Sequence, residues 1–318
     1  MMETRKLIKF GKNSFVLTVP KNWIDKNNLN SKQPVFVEEN SNDLIISTEQ
    51  KKDKEEKKII IYVDGKSSNT IEREIIAAYI NNYNMMEFRG KELKKTAKQI
   101  SDFLNNLMSF EIMEQTNIKL LVKDFLNFRD ISVSDMIRRV DRIIRVMLED
   151  SLLSFKEDNI ESLNLRDIDI NRFCYLIHRL VRGGLKNPNI AKILNHKPTQ
   201  LLSTFMLAQH LEKIGDNSKR IAREISLLKK KKDNKQKEKG ITELFQRIQQ
   251  QYLNVMKSFY NNDKILADRC SDEGKKIIKE YIALSTEHSD PLTHSILTRL
   301  KEINALLRNI ARLTLDHE

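Results

Sequence analysis

Glu212 and Asp216 stand four residues apart in a stretch of helical periodicity, so both carboxylates project from one side of a helix. Like charges so placed repel and disfavour the helix unless something cationic neutralises them. Two neutralising chemistries are open. Gly215, between the pair, lets another helix or a hydrated ion come close, and hard oxygen donors suit Mg, Ca, Mn or Fe. In the other reading, Lys213, Lys219 and Arg220 compensate along the helix and leave an ordinary solvated face. A basic cluster stands at the other end of the chain. Arg5, Lys6, Lys9, Lys12 and Lys21 oppose only Glu3 across the first 21 residues, five charges against one, or +4. Asn13 and Ser14 add donors for bases or phosphates. A duplex, whose phosphates release counterions to lysine and arginine, suits such a patch. A solvated face on a small dimerisation domain accounts for the same charges.

Nothing in the chain points to catalysis. Cys174 and His178 share a helical face, but it is the apolar stripe around Phe173 and Ile177, so both are expected to be buried and structural. His196, His210, His288 and His294 have no ligand spacing among them, and no Gly-x-Ser-x-Gly, His-Glu-x-x-His or dinucleotide glycine pattern occurs. Gly65-Lys66-Ser67 echoes the end of a phosphate-binding loop, but Ile60 stands where that motif needs its first glycine. A metal-dependent hydrolase would rest on Glu212 and Asp216 alone.

The elements that must position these residues change character along the chain. Leu7-Ile8, Phe15 to Val19, Val35 to Val37 and Leu44 to Ile46 are β-branched or aromatic runs separated by Gly, Asn, Ser and Pro, a strand-and-turn pattern. About forty such residues bury too little surface to fold alone, and this stretch holds no cysteine, histidine or ligand cluster. Homodimerisation is the remaining route. A charged linker is expected over 49–58. A small α/β module follows over 59–130, with strands at Ile59 to Val63, Met85 to Phe88, Phe110 to Thr116 and Lys119 to Val122. Its helices run from Thr70 to about Asn82, capped by Ser68 or Asn69, and from about Glu92 to Leu107.

From Ser134 the apolar period becomes helical, as in Met136, Val140, Ile143 and Met147, then Leu207, Leu211, Ile214, Ser218, Ile221 and Ile225. Six helices in two groups of three are predicted. The groups read as copies, because Leu300, Ile303 and Ile310 each lie 89 residues after Leu211, Ile214 and Ile221, and Ile-Ala-Arg recurs at 221 and 310. The fold class is therefore mainly α: duplicated three-helix bundles over 131–228 and 241–318, a lysine-rich linker over 229–240, the α/β module, and an N-terminal β domain over 1–48.

Composition sets the setting. The 318 residues carry a formal charge of +12, which suits a polyanionic partner, and 40% hydrophobic content supplies real cores. Two distant cysteines form no disulfide framework, no apolar stretch is long enough to span a bilayer, and no signal-peptide core is present, so a cytoplasmic protein is expected.

Two resemblances attach to these residues. Arg5 to Gly11, Ser14 to Trp23, Val35-Phe36-Val37 and Leu44-Ile45-Ile46 resemble the AbrB/MazE/SpoVT swapped-hairpin DNA-binding domain over about the first 48 residues. Members are intertwined dimers, which implies a homodimer whose Arg5, Lys9, Lys12, Asn13, Ser14 and Lys21, within a patch that includes Lys6, face double-stranded DNA. Lys32-Gln33 replaces the Gly-Asp pair common before the third strand. Leu211 to Asp216 with Ile221-Ala222-Arg223 is similar to the signature of PhoU, the phosphate-uptake regulator, and Asp167 to Phe173 resembles its partner motif. That likeness covers Ser134 to Glu318 and implies two three-helix bundles and a transporter or signalling partner. It also implies a divalent or iron site, for which Asp167, Glu212 and Asp216 remain. Asn171 stands in place of the fourth carboxylate, and Lys301 and Ala305 leave the second copy without a set. The expected function is DNA-binding regulation of phosphate homeostasis, and a PhoU-type adaptor without DNA binding is the alternative.

Overall fold

The computed structural model describes residues 4–40, 43–48, 56–230, 235–287 and 290–316. The chain divides into two units, Met1–Glu55 and Glu56–Glu318.

The N-terminal unit holds two separate hairpins. Strands β1 (Ile8–Phe10) and β2 (Ser14–Val16) pair antiparallel with Lys9 opposite Phe15, across a three-residue turn opened by Gly11 at φ +70°. A short helix α1 (Lys21–Lys26) starts after Pro20. Strands β3 (Phe36–Asn40) and β4 (Asp43–Ser47) form the second antiparallel pair. Two differences from the sequence reading stand out. The strand expected from Phe15 to Val19 leaves the ladder at Val16, and α1 occupies a segment with no helix expected, because six residues are too short to show a period. No described residue of this unit with an assigned exposure is buried.

The second unit begins with a four-stranded sheet. Strands β5 (Lys58–Tyr62), β6 (Met85–Arg89), β7 (Phe110–Gln115) and β8 (Lys119–Asp124) lie in the order β5-β6-β8-β7, with β5 and β6 parallel and the other pairs antiparallel. Helix α2 (Ser68–Ile80) forms the crossover from β5 to β6, and α3 (Leu93–Leu104) leads to β7. Ser67 caps α2, one residue before the expected cap, by accepting from the Thr70 amide at 3.3 Å. Asn82 ends the turn after α2 at φ +61°, a left-handed conformation that asparagine tolerates.

The long helices are α4 (Val133–Leu153), α5 (Ile160–Lys186), α7 (Pro198–Lys229), α8 (Lys235–Asn261), α9 (Lys264–Glu287) and α10 (Pro291–Leu315), with the short α6 (Pro188–Ile193) between α5 and α7. The six predicted helices are present in two groups of three. Ser132 caps α4 and Asp290 caps α10, each accepting an amide three residues on, and proline opens α7 and α10. Helices α4, α5 and α7 pack together, as do α8, α9 and α10, and the groups meet along α7 against α10 and α4 against α8. Leu211, Ile214 and Ile221 and their counterparts Leu300, Ile303 and Ile310 are all fully buried, so the 89-residue offset aligns the two core stripes. Residues 231–234 and His288 lie outside the described residues, and α8 takes up the lysine-rich segment from Lys235 onward.

Charged and polar side chains join these layers where apolar ones alone would slide. Asp141, 3% exposed, accepts from Tyr252 Oη at 2.8 Å, Tyr260 Oη at 3.0 Å and Arg145 Nε and Nη2, tying α4 to α8. Glu224 on α7 accepts from Ser295 and Arg299 of α10, each at 2.9 Å. Arg179 of α5 is buried against β8, where it pairs with Asp124, and its guanidinium lies 4.6 Å from the Tyr79 ring centre and 5.3 Å from that of Phe110. Burial pushes the Tyr79 hydroxyl up to about 12.

Candidate functional site

The acidic residues converge across two helices. Asp167 comes from α5, and Glu212 and Asp216 from α7; with Asn171, Gln209, Lys213 and Lys219 they line a recess of about 240 Å³. The helices approach this closely because residue 215 is glycine: a Cβ there would stand 2.8 Å from Ile170 Cδ1. Gly215 thus allows the close approach of α5.

The recess carries its own cation. Lys219 Nζ lies 2.5 Å from Asp167 Oδ2 and 3.3 Å from Asp216 Oδ1, with the lysine side chain 15% exposed. Arg220 holds the other oxygen of Asp216 at 2.8 Å. Burial raises the Glu212 carboxyl above the usual range, and the charges of Asp167 and Asp216 push the same way. As placed, these side chains do not fit a bound metal ion. Their oxygens are the hard donors such an ion prefers, but an ammonium group bridges two of the three carboxylates. Among the described residues, no group of three or more His, Cys, Asp or Glu side chains is arranged to hold a metal. In the second copy Lys301 lies 5.0 Å over the Tyr281 ring, and Asn304 is buried and donates to Gly274 O at 2.9 Å.

The basic residues of the N-terminal unit are spread along one hairpin and its continuation. Arg5, Lys6, Lys9, Lys12, Asn13, Ser14 and Lys21 are all exposed. Lys9 lies within β1, Lys12 and Asn13 form the turn, Ser14 opens β2 and Lys21 opens α1. Arg5 reaches across to Thr18 Oγ1 at 3.4 Å. Apolar side chains are interleaved with these charges: Leu7, Ile8, Phe10, Phe15, Val16 and Leu17 are exposed, Phe10 by 70% and Phe15 by 64%.

The remaining sequence motifs resolve into structural roles. Cys174 is buried with its thiol toward Ala208 O at 3.6 Å, and His178 stacks on Phe205 with ring centres 4.6 Å apart. Burial lowers the His178 imidazole to about 4. Lys66 of the Gly-Lys-Ser turn is engaged by Glu74 at 2.7 Å, and the Gly65 amide donates to Glu92. Sequence reasoning passed over Asp141, Arg179 and Glu224. The signal for Asp141 is its position in the spacing Ile137, Asp141, Ile144, Leu148, a carboxylate at a core position of α4. Among the described residues no helix is long and apolar enough to cross a membrane.

Comparison with known proteins bears on the first helical group. Among curated proteins there is no match. The crystal structure of PhoU from Pseudomonas aeruginosa is similar at 20% identity and a TM-score of 0.47, covering 57% of this chain and 93% of that one. Residues 137–225, from the second turn of α4 into the last turns of α7 and including the acidic recess, match the family model of the PhoU domain.

Proposed function

We propose that this chain is a homodimeric regulator of phosphate homeostasis, in which the N-terminal units of two copies interlace to form a basic surface for duplex DNA and the helical body relays phosphate status. The observation that carries the dimer is the bare apolar surface of the N-terminal unit. Two-stranded hairpins are marginal in water, and here Phe10, Phe15, Leu7 and Leu44 all remain exposed. A second copy supplies the missing layer. The local charge of +4 is then doubled about a two-fold axis, which suits a repeated half-site on DNA. The PhoU domain match supports the phosphate role of the body. Relay is a linkage: a partner that binds one arrangement of the body shifts the affinity of the basic surface for its operator.

The test is duplex binding across a salt series with the full chain. The expected affinity falls steeply with salt, by a log-log slope of about 0.9 per neutralised phosphate, and is lost in the Lys9→Ala, Lys12→Ala double variant. Binding that is flat with salt, or unchanged in the variant, overturns DNA as the partner. A second reading is an adaptor whose N-terminal unit only dimerises while the body docks on a phosphate transporter or a signalling kinase. Its specific support is the register of β1 and β2: Lys9 shares a face with Phe15, so a dimer that covers Phe15 draws Lys9 toward the covered side. Dimers in sizing experiments together with no duplex binding would favour it.

A further inference from the structure

We propose that Lys219 is the resident cation of the recess between α5 and α7, so that this body is held together at that point without metal, and that removing the lysine charge converts the recess into a divalent-cation site. Three carboxylates from two helices meet there, and three negative charges in a partly buried space repel unless a cation sits among them. The Lys219 ammonium takes that position, bridging Asp167 of α5 to Asp216 of α7, 52 residues and 3 residues away along the chain. A tethered ammonium pays no translational entropy on binding, which gives it a standing advantage over a free ion for the same oxygens.

The remaining charges complete the balance. Arg220 takes the outer oxygen of Asp216, while Glu212 lies too far from either basic group for an ion pair among the described residues. The recess therefore has two of its three carboxylates matched by Lys219 and Arg220. A metal ion using Asp167 and Asp216 together has to displace the Lys219 ammonium that bridges them. Replacing Lys219 with methionine keeps an unbranched side chain one atom shorter, removes the charge and releases oxygens of Asp167 and Asp216 beside Glu212, a set of hard donors from two helices. Asn171 and Gln209, whose side chains carry amide oxygens, line the same space. This inference stands whether or not the N-terminal unit binds DNA.

The experiment uses the full chain, freed of metal with chelator, and titrates Mn2+ while recording the free-ion electron paramagnetic resonance signal. Wild-type protein is expected to leave that signal unchanged at equimolar Mn2+. The Lys219→Met variant is expected to bind one ion at least tenfold more tightly than wild type, to gain thermal stability with added Mn2+, and to lose both effects when Glu212→Gln is added. Lys219→Arg, which keeps the charge, is expected to behave as wild type. Stoichiometric Mn2+ binding by wild type that disappears in Glu212→Gln overturns the proposal, as does a folded Lys219→Met that binds no more tightly than wild type. Should the methionine variant be insoluble, Lys219→Gln serves the same arm under the same criteria.

Discussion

The N-terminal unit and the helical body handle apolar surface in opposite ways. Phe10 and Phe15 stand mostly in solvent on two-stranded hairpins, whereas Leu211, Ile214, Leu300 and Ile303 are sealed between helices, in a cluster that runs from the sheet to α10. The same hydrophobic effect acts on both. Six long helices and a sheet with helices on one face give the body enough layers to bury its stripes within one chain, and a segment of under fifty residues with two short hairpins has no second layer to offer. The lesson is that stability in this protein is intramolecular in one unit and, on the reading proposed above, intermolecular in the other.

That contrast is open to direct attack. The largest effect is expected at the buried Arg179 and Asp124 pair, where Asp124→Ala leaves a guanidinium 2% exposed without its counter-charge. Removing one partner of a buried pair costs about 3–5 kcal/mol, so the denaturant midpoint of the body should fall sharply; a midpoint equal to wild type would show that solvent reaches the arginine. A smaller effect concerns His178. Its folded pKa of about 4 lies below the ordinary 6.5, so as pH falls below 6.5 unfolded chains take up a proton that folded ones refuse. Stability from this group is complete above pH 6.5 and is lost progressively toward pH 4, on the order of 3 kcal/mol at 1.36 kcal/mol per unit. His178→Leu should flatten that part of the pH profile relative to wild type, and an identical acid slope in both proteins would dismiss the histidine as its source.

The smallest effect on the body sharpens the comparison from the other side. Phe10→Ala with Phe15→Ala should leave the unfolding midpoint of the body within about 0.5 kcal/mol of wild type, as surface changes do. The same double variant should shift the chain from dimer toward monomer in sedimentation at micromolar concentration. A dimer that survives unchanged would place self-association elsewhere.

The acidic recess marks how far local pattern carries. The carboxylate pair at 212 and 216, its tension, and Lys219 and Arg220 as its compensation are all legible along one helix, because residues three and four apart are neighbours by geometry. The contact that decides the chemistry, Lys219 to Asp167, joins positions 52 residues apart and depends on Gly215 letting Ile170 and α5 come close. No period within α7 predicts it.

What the sequence determined by itself was everything governed by neighbours along the chain. Helix stripes of period 3.6, the strand runs of the α/β module, the repeat at 89 residues and the strand-and-turn pattern of the N-terminal unit follow from short-range geometry and from how much surface a segment can bury. Only the tertiary structure decided which polar groups became joints: Asp141 with Tyr252 and Tyr260, Arg179 with Asp124, and Lys219 between Asp167 and Asp216. The physical reason is that a buried charge is tolerable only beside a partner, and partners more than fifty residues apart meet only once the helices between them have packed.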